Sequence, residues 1–265
     1  HNTYHQGGNE LTMTKEEFRK LTENILLLDG ATGSNLMASG MPRGICTETW
    51  VIEHKDIIQE LQRSYIETGS QIIYAPTFGG NRINLKKHGL QDRIEEINRT
   101  LVGYSREVAP EGVYVAGDIT TSGEFIIPDG DDEDYTYDTA FQMYQEQVRI
   151  LCDAGVDLIV AETMISIDET LAAVDAVRSV CDLPIMCSVT VDADGSIFSG
   201  GNAIEAAISL EAAGADAVGI NCSVGPDQLV SVVRSIKEKV SIPVIAKPNA
   251  GMPTIDGNGT AVYHM

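Results

Sequence analysis

Several residues in this 265-residue chain pair a reactive or polar side chain with one local setting. Asp29, Thr77, Asp118, Glu162, Thr190, Cys222 and Asn249 each stand where an apolar, strand-like run gives way to a loop. Cys222 lies in Gly219-Ile-Asn-Cys-Ser-Val-Gly-Pro226. A free thiol with a pKa near about 8.5 is only a few per cent thiolate at neutral pH, so a nucleophilic cysteine needs a base beside it. The histidines are His1, His5, His54, His88 and His264, and none follows a strand-like run, which argues against a Cys–His hydrolase. Packing and metal ligation remain for Cys222, and one cysteine does not make a zinc site. Asp29 and Glu162 are acids placed directly after apolar runs, where burial is costly unless they are paired. Either they bind the ammonium group of a substrate, or Asp29 accepts from the amides of its own glycine turn. Asp118 either joins these acids or stabilises the long loop after it, Thr77 is a further candidate for the substrate, and Asn249 binds a carboxylate or caps its loop. Cys152, Cys181 and Cys187 read as packing, Cys46 as a reactive loop position, and Trp50 with the nearby methionines as core.

The elements that must position these residues alternate along the chain. Strand-like runs fall at residues 25–29, 71–75, 114–118, 158–162, 185–190, 217–221 and 243–247. Helical patterns fall at 15–22, 55–68, a broken stretch reaching 108, 139–154, 168–180, 203–213 and 228–239, with Gly69, Gly155 and Gly214 as C-terminal stops. Strict alternation implies parallel strands joined by right-handed crossovers. An open doubly wound sheet would give the same pattern. The first strand, however, lacks a Gly-x-Gly-x-x-Gly loop, and polar residues end nearly every strand, as they do where all strand ends converge on one mouth. The expected fold is therefore α/β, a (β/α)8 TIM barrel truncated after its seventh strand, since residues 253–265 read as a polar hairpin or loop. Such a barrel leaves two unpaired parallel edges, a liability for aggregation or swapping.

Residues 1–12 are polar and aperiodic and read as a leader. Met13 then serves as a start, followed by a capping box at Thr14-Lys-Glu-Glu17, so that 13–265 form the barrel domain. Acidic residues number 39 against 18 basic ones, a net charge of −21 that repels nucleic acid and anionic lipid; neither is expected as a partner. No run approaches the roughly 18 apolar residues that span a bilayer. Five irregularly spaced cysteines fit a reducing, cytoplasmic setting better than a disulfide framework.

The loops share a further property. Asp29-Gly-Ala-Thr-Gly-Ser, Ala75-Pro-Thr-Phe-Gly-Gly-Asn-Arg82, Gly117-Asp-Ile, Ala161-Glu-Thr, Gly219-Ile-Asn-Cys-Ser and Lys247-Pro-Asn-Ala-Gly resemble, in order and in one frame from about Leu26 to Tyr263, the homocysteine S-methyltransferase family. Within it the likeness is to the homocysteine-binding module of cobalamin-dependent methionine synthases. The resemblance implies a barrel whose mouth holds zinc through three cysteine thiolates, Cys222 being the first and a Gly-Gly-Cys-Cys sequence supplying the others. This chain has no such sequence. It also implies that Asp29, Glu162 and Asn249 hold the amino-acid end of homocysteine. Zinc would bind the thiol as thiolate, which takes a methyl group to give methionine, with methylcobalamin on a separate domain and methyltetrahydrofolate as the ultimate donor. With two ligands missing, the chain alone is expected to bind zinc weakly or not at all and to be inactive. Alternatives are a free-standing enzyme using S-methylmethionine or betaine, and a non-catalytic amino-acid-binding barrel that has lost the metal.

Overall fold

The structure is a computed structural model and describes residues 12–221, 225–248, 253–255, 258 and 261–263. Six strands, β1 (Ile72–Tyr74), β2 (Tyr114–Ile119), β3 (Leu158–Met164), β4 (Ile185–Val189), β5 (Ala217–Asn221) and β6 (Val244–Lys247), form one sheet in the order of the chain. Every adjacent pair is parallel. A doubly wound sheet reverses its strand order at a switch point, whereas this one advances in a single direction, the winding of a (β/α) barrel. The described residues thus form part of such a barrel.

The helices follow the amphipathic patterns in the sequence. They are α1 (Lys15–Leu21), α2 (Gly33–Ala38), α3 (Thr47–Glu53), α4 (Lys55–Glu67), α5 (Arg82–Lys86), α6 (Ile94–Val108), α7 (Tyr137–Ala154), α8 (Ile167–Val180), α9 (Ala203–Ala213) and α10 (Pro226–Lys237). The capping box at Thr14 and Glu17 is formed. Gly155 and Gly214 close α7 and α9 in the left-handed conformation, which spares them the steric cost a Cβ would bring.

Alternation along each strand divides the core in two. Ile72, Ala116, Leu158, Val160, Met186, Ala217 and Ile245 face inward and pack with Met13 and Phe18. Ile73, Val115, Ile159, Ala161, Ile185, Cys187, Val218 and Ile220 face the helices and meet Val148, Leu151, Val177 and Leu210. Each fully buried aliphatic side chain contributes about 1.5–3 kcal/mol.

The expected strand at 25–29 is reduced to one parallel bridge, Leu28 with Ile72, supported by the Gln71 amide donating to Leu27 O at 2.9 Å. Ile25 is 90% exposed and Leu27 50%. With these side chains largely in solvent, the run gains little burial from extending alongside β1. The parallel sheet therefore has six strands where the sequence pattern suggested seven. The hairpin expected near the end is present as β7 (Pro253–Ile255) paired antiparallel with β8 (Ala261–Tyr263). Two short helices, α2 and α3, occupy a stretch for which the sequence pattern indicated no helix. Trp50 in α3 is core and stacks on His54, but Met37 in α2 is exposed, since α2 turns that side outward.

β5 and β6 approach closely at Gly219, where a Cβ would stand 2.0 Å from Ile245 O. Gly219→Ala is expected to lower stability by about 3 kcal/mol through forced strand separation. An unchanged urea midpoint would count against that close approach.

Candidate functional site

Because inward residues alternate, the last inward position of each strand forms a ring at one end of the sheet. Those positions are Tyr74, Asp118, Glu162, Ser188, Asn221 and Lys247, all polar or amphipathic, above the apolar layers beneath. Asp29 joins them from the bridge segment. Its Oδ2 accepts from the Tyr74 amide at 2.8 Å, and its Oδ1 accepts from Lys247 Nζ at 3.0 Å. The carboxylate is therefore not spent on its own glycine turn. Lys247 Nζ also lies 4.0 Å from the centre of the Tyr74 ring, a cation–π contact.

Three carboxylates, Asp29, Asp118 and Glu162, surround the single Lys247 ammonium. Burial works to lower the Lys247 pKa, but Asp29, Glu162 and Asp118 together outweigh it and raise it, so the amine stays protonated. Burial raises the Asp29 pKa, with the Lys247 charge acting against it. Asp118 is pushed well above the carboxylate range by burial first and then by Glu162 beside it. Asp118 is 4% exposed, and its Oδ1 has no hydrogen-bond partner. Among the described residues, full ionisation would leave two negative charges without a counter-ion. Such a mouth accepts either a proton or a cation of ligand origin.

The loops around the mouth are fixed by buried polar side chains. Thr77 is fully buried; its hydroxyl donates to Asp118 O at 2.8 Å and accepts from the Asp118 amide at 3.0 Å. Thr77 thus holds the end of β2 in place. Gln147 Nε2 donates to Thr77 O, and Glu48 Oε1 accepts from the Gly79 amide. The long loop after β2 is held not by Asp118 but by Glu169, whose Oε2 accepts from Ser122 Oγ and Tyr135 OH, both at 2.7 Å.

β3 carries one extra residue against β4, since Ala161 pairs with Cys187 and Met164 with Val189. Thr163, inside this bulge, has φ 55°, a left-handed conformation that costs a β-branched residue about 1–3 kcal/mol. Asn221 holds it, accepting from the Thr163 amide at 2.8 Å and donating to Thr163 Oγ1 at 2.7 Å.

Cys222 and Asn249 lie outside the described residues. Among those described, no group of three His, Cys, Asp or Glu is placed to hold a metal ion. Cys187 is packed in the core and Cys46 is buried, its thiol raised by burial, so Cys46 is not the reactive loop residue expected. Cys152 and Cys181 adjoin and are half-buried; the hydrogen bond from Cys152 brings the Cys181 thiol down to about 7. No helix among the described residues is long and apolar enough to cross a membrane. Lys247, Asn221, Thr163 and Tyr74 are site residues that strand-end reasoning missed. Lys247 and Tyr74 had a signal, a polar tip at an inward strand position.

Fold and site together define a parallel barrel protein with an acid-lined mouth at the C-terminal strand ends. The chain belongs to the homocysteine S-methyltransferase family, whose model matches residues 26–265. It is 28% identical over 256 residues to a methionine synthase of Mycobacterium tuberculosis and 27% identical to that of Mycobacterium leprae. Each match covers 90% of this chain and 21% of the relative, so the chain spans about a fifth of the length of these proteins. Its fold matches the homocysteine methyltransferase MmuM from Escherichia coli, in the metallated form with TM-score 0.73 and 20% identity over 88% of this chain and 86% of that one. The oxidised form of MmuM gives TM-score 0.74 at 21% identity, with the same coverage.

The raised pKa of Asp118 has a sign for stability. A carboxyl whose folded pKa exceeds its unfolded one binds its proton more tightly in the native state, so stability falls as pH rises from about 4 through the folded value. Asp118→Asn is expected to raise the melting temperature at pH 8 and leave it unchanged at pH 3, measured by calorimetry. Equal effects at both pH values would show that the carboxyl is ionised without penalty.

Proposed function

We propose that residues 13–265 act as the homocysteine-binding domain of a methyltransferase that forms methionine. The observation that carries this is the excess of carboxylates over cations at the mouth, in a chain of this family. Asp118 and Glu162 receive the substrate ammonium, whose positive charge offsets the carboxylate excess around Lys247. Asp29 is engaged by Lys247, so its contribution is to fix that cation and the Tyr74 end of β1. Thr77 positions Asp118 through its backbone. Asn249, two residues after Lys247, is proposed for the substrate carboxylate. With the amino-acid end anchored at two charges, the sulfur is oriented toward the incoming methyl group, and orientation is what converts binding into rate.

Zinc and cobalamin enter through the family resemblance. Zinc, when bound, would hold the substrate sulfur as thiolate at neutral pH. Cys222 is its proposed ligand, together with two cysteines that this sequence does not contain. The described residues supply no fitting donor set. The amino-acid contacts above do not depend on the metal. Methylcobalamin on a separate domain, recharged from methyltetrahydrofolate, is the proposed donor, in keeping with the methionine synthases the chain resembles. Free thiols at Cys46, Cys152, Cys181 and Cys187 support a reducing, cytoplasmic setting.

Three measurements test the reading. Metal analysis of this chain should find well under one zinc per molecule, and no methionine should form from homocysteine and methylcobalamin. One tightly held zinc per chain would overturn the ligand assignment. Isothermal titration of the native full-length protein should show homocysteine binding weakened at least tenfold by Glu162→Gln, about 1.4 kcal/mol; undiminished affinity would place the ammonium elsewhere.

A further inference from the structure

The peptide joining Glu162 to Thr163 is gripped at both of its polar atoms by side chains from the end of β5 and the residue just after β2. Its carbonyl accepts from Thr120 Oγ1 at 2.7 Å, and its N–H donates to Asn221 Oδ1 at 2.8 Å. Asn221 is in turn fixed by Ser188, whose hydroxyl donates to the same Oδ1 at 2.6 Å, and it is 1% exposed. The ladder between β3 and β4 is broken at this point, because the extra residue lies between Ala161 and Met164. The β2 ladder ends at Ala161 and the β4 ladder is interrupted, so neither regular pairing extends over Glu162 and Thr163. The bulge lets Glu162 face the mouth while Met164, two residues on, packs among the outward core residues. In an unbulged strand, residues two apart would share a face.

We infer that Asn221 is a positioning residue for Glu162, acting through the left-handed turn at Thr163 and so setting where the Glu162 carboxylate stands against Asp118 and Lys247. This rests on the reading of the mouth as the amino-acid pocket. Such a role allows a rescue that a merely structural one would not. Glycine adopts positive φ freely. If Asn221 acts by holding Thr163 in that conformation, glycine at 163 removes most of the need for it.

The test uses the native full-length protein with homocysteine as the probe. Asn221→Ala should weaken homocysteine binding at least tenfold in calorimetry, and should raise KM more than it lowers kcat. The double variant Asn221→Ala/Thr163→Gly should return to within about threefold of the parent. Unchanged affinity in Asn221→Ala, or failure of the double variant to recover, would overturn the inference. If the parent protein binds no homocysteine, the pocket reading falls, and the inference is decided by infrared difference spectra of the Asp118–Glu162 carboxyl band. That band should move in Asn221→Ala and return in the double variant; a band that stays put would overturn it.

Discussion

An ion pair between residues far apart in sequence holds the mouth of this barrel together. Asp29 sits on the bridge segment beside β1, and Lys247 ends β6, so their contact joins the first and last positions of the parallel sheet. A buried ammonium is tolerated because the carboxylates around it outweigh the loss of hydration. Removing either partner would leave the other charge without compensation, which is the costly case for buried pairs. The Tyr74 ring below Lys247 shapes the same cation site from the apolar side. The remaining acids, Asp118 and Glu162, are the surplus, with the Asp118 carboxyl pushed up first by its burial and then by Glu162 beside it.

Much of this arrangement is visible in the sequence, because the period of a strand is two and the inner layers are apolar. An acid that directly follows an apolar run, such as Asp29 or Glu162, stands at an inward strand end, and Asp118 follows the same rule. Lys247 closes the apolar run Pro243–Lys247, and a lysine in that place has the same sequence signature as an ordinary solvated strand end. The bulge at Thr163 has no local signature. The sequence pattern ends this strand at Glu162, two residues short of Met164, and the left-handed residue is a threonine, not a glycine. Its cause is Asn221, 58 residues away, and such tertiary causes do not appear in local patterns.

Other differences have equally plain origins. The run at 25–29 has strand composition, but Ile25 and Leu27 find no core to pack against, and the run forms a single bridge. The short helices α2 and α3 lie in a glycine-containing stretch whose propensity is weak, and they form because Leu36, Trp50 and Val51 are buried against Leu85, Ile97 and Leu101. Glu169 carried no signal as a loop anchor, since an acid in the first turn of a helix is expected on dipole grounds alone.

The span of the Asp29–Lys247 contact also bears on how the molecule comes to be. Neighbouring strands meet across modest separations, as with Tyr74 and Ala116, so the sheet grows by adding each unit to the one before it. Local pairings of this kind form early, and contacts between remote segments form after them. The Asp29–Lys247 pair, at a separation of 218 residues, is of the second kind. During synthesis from the N-terminus, Asp29, Asp118 and Glu162 are in place long before Lys247 is made. The nascent barrel therefore carries an acid cluster with no built-in cation. The mouth reaches its final charge balance when the sixth strand docks, and fraying of that strand would undo it first.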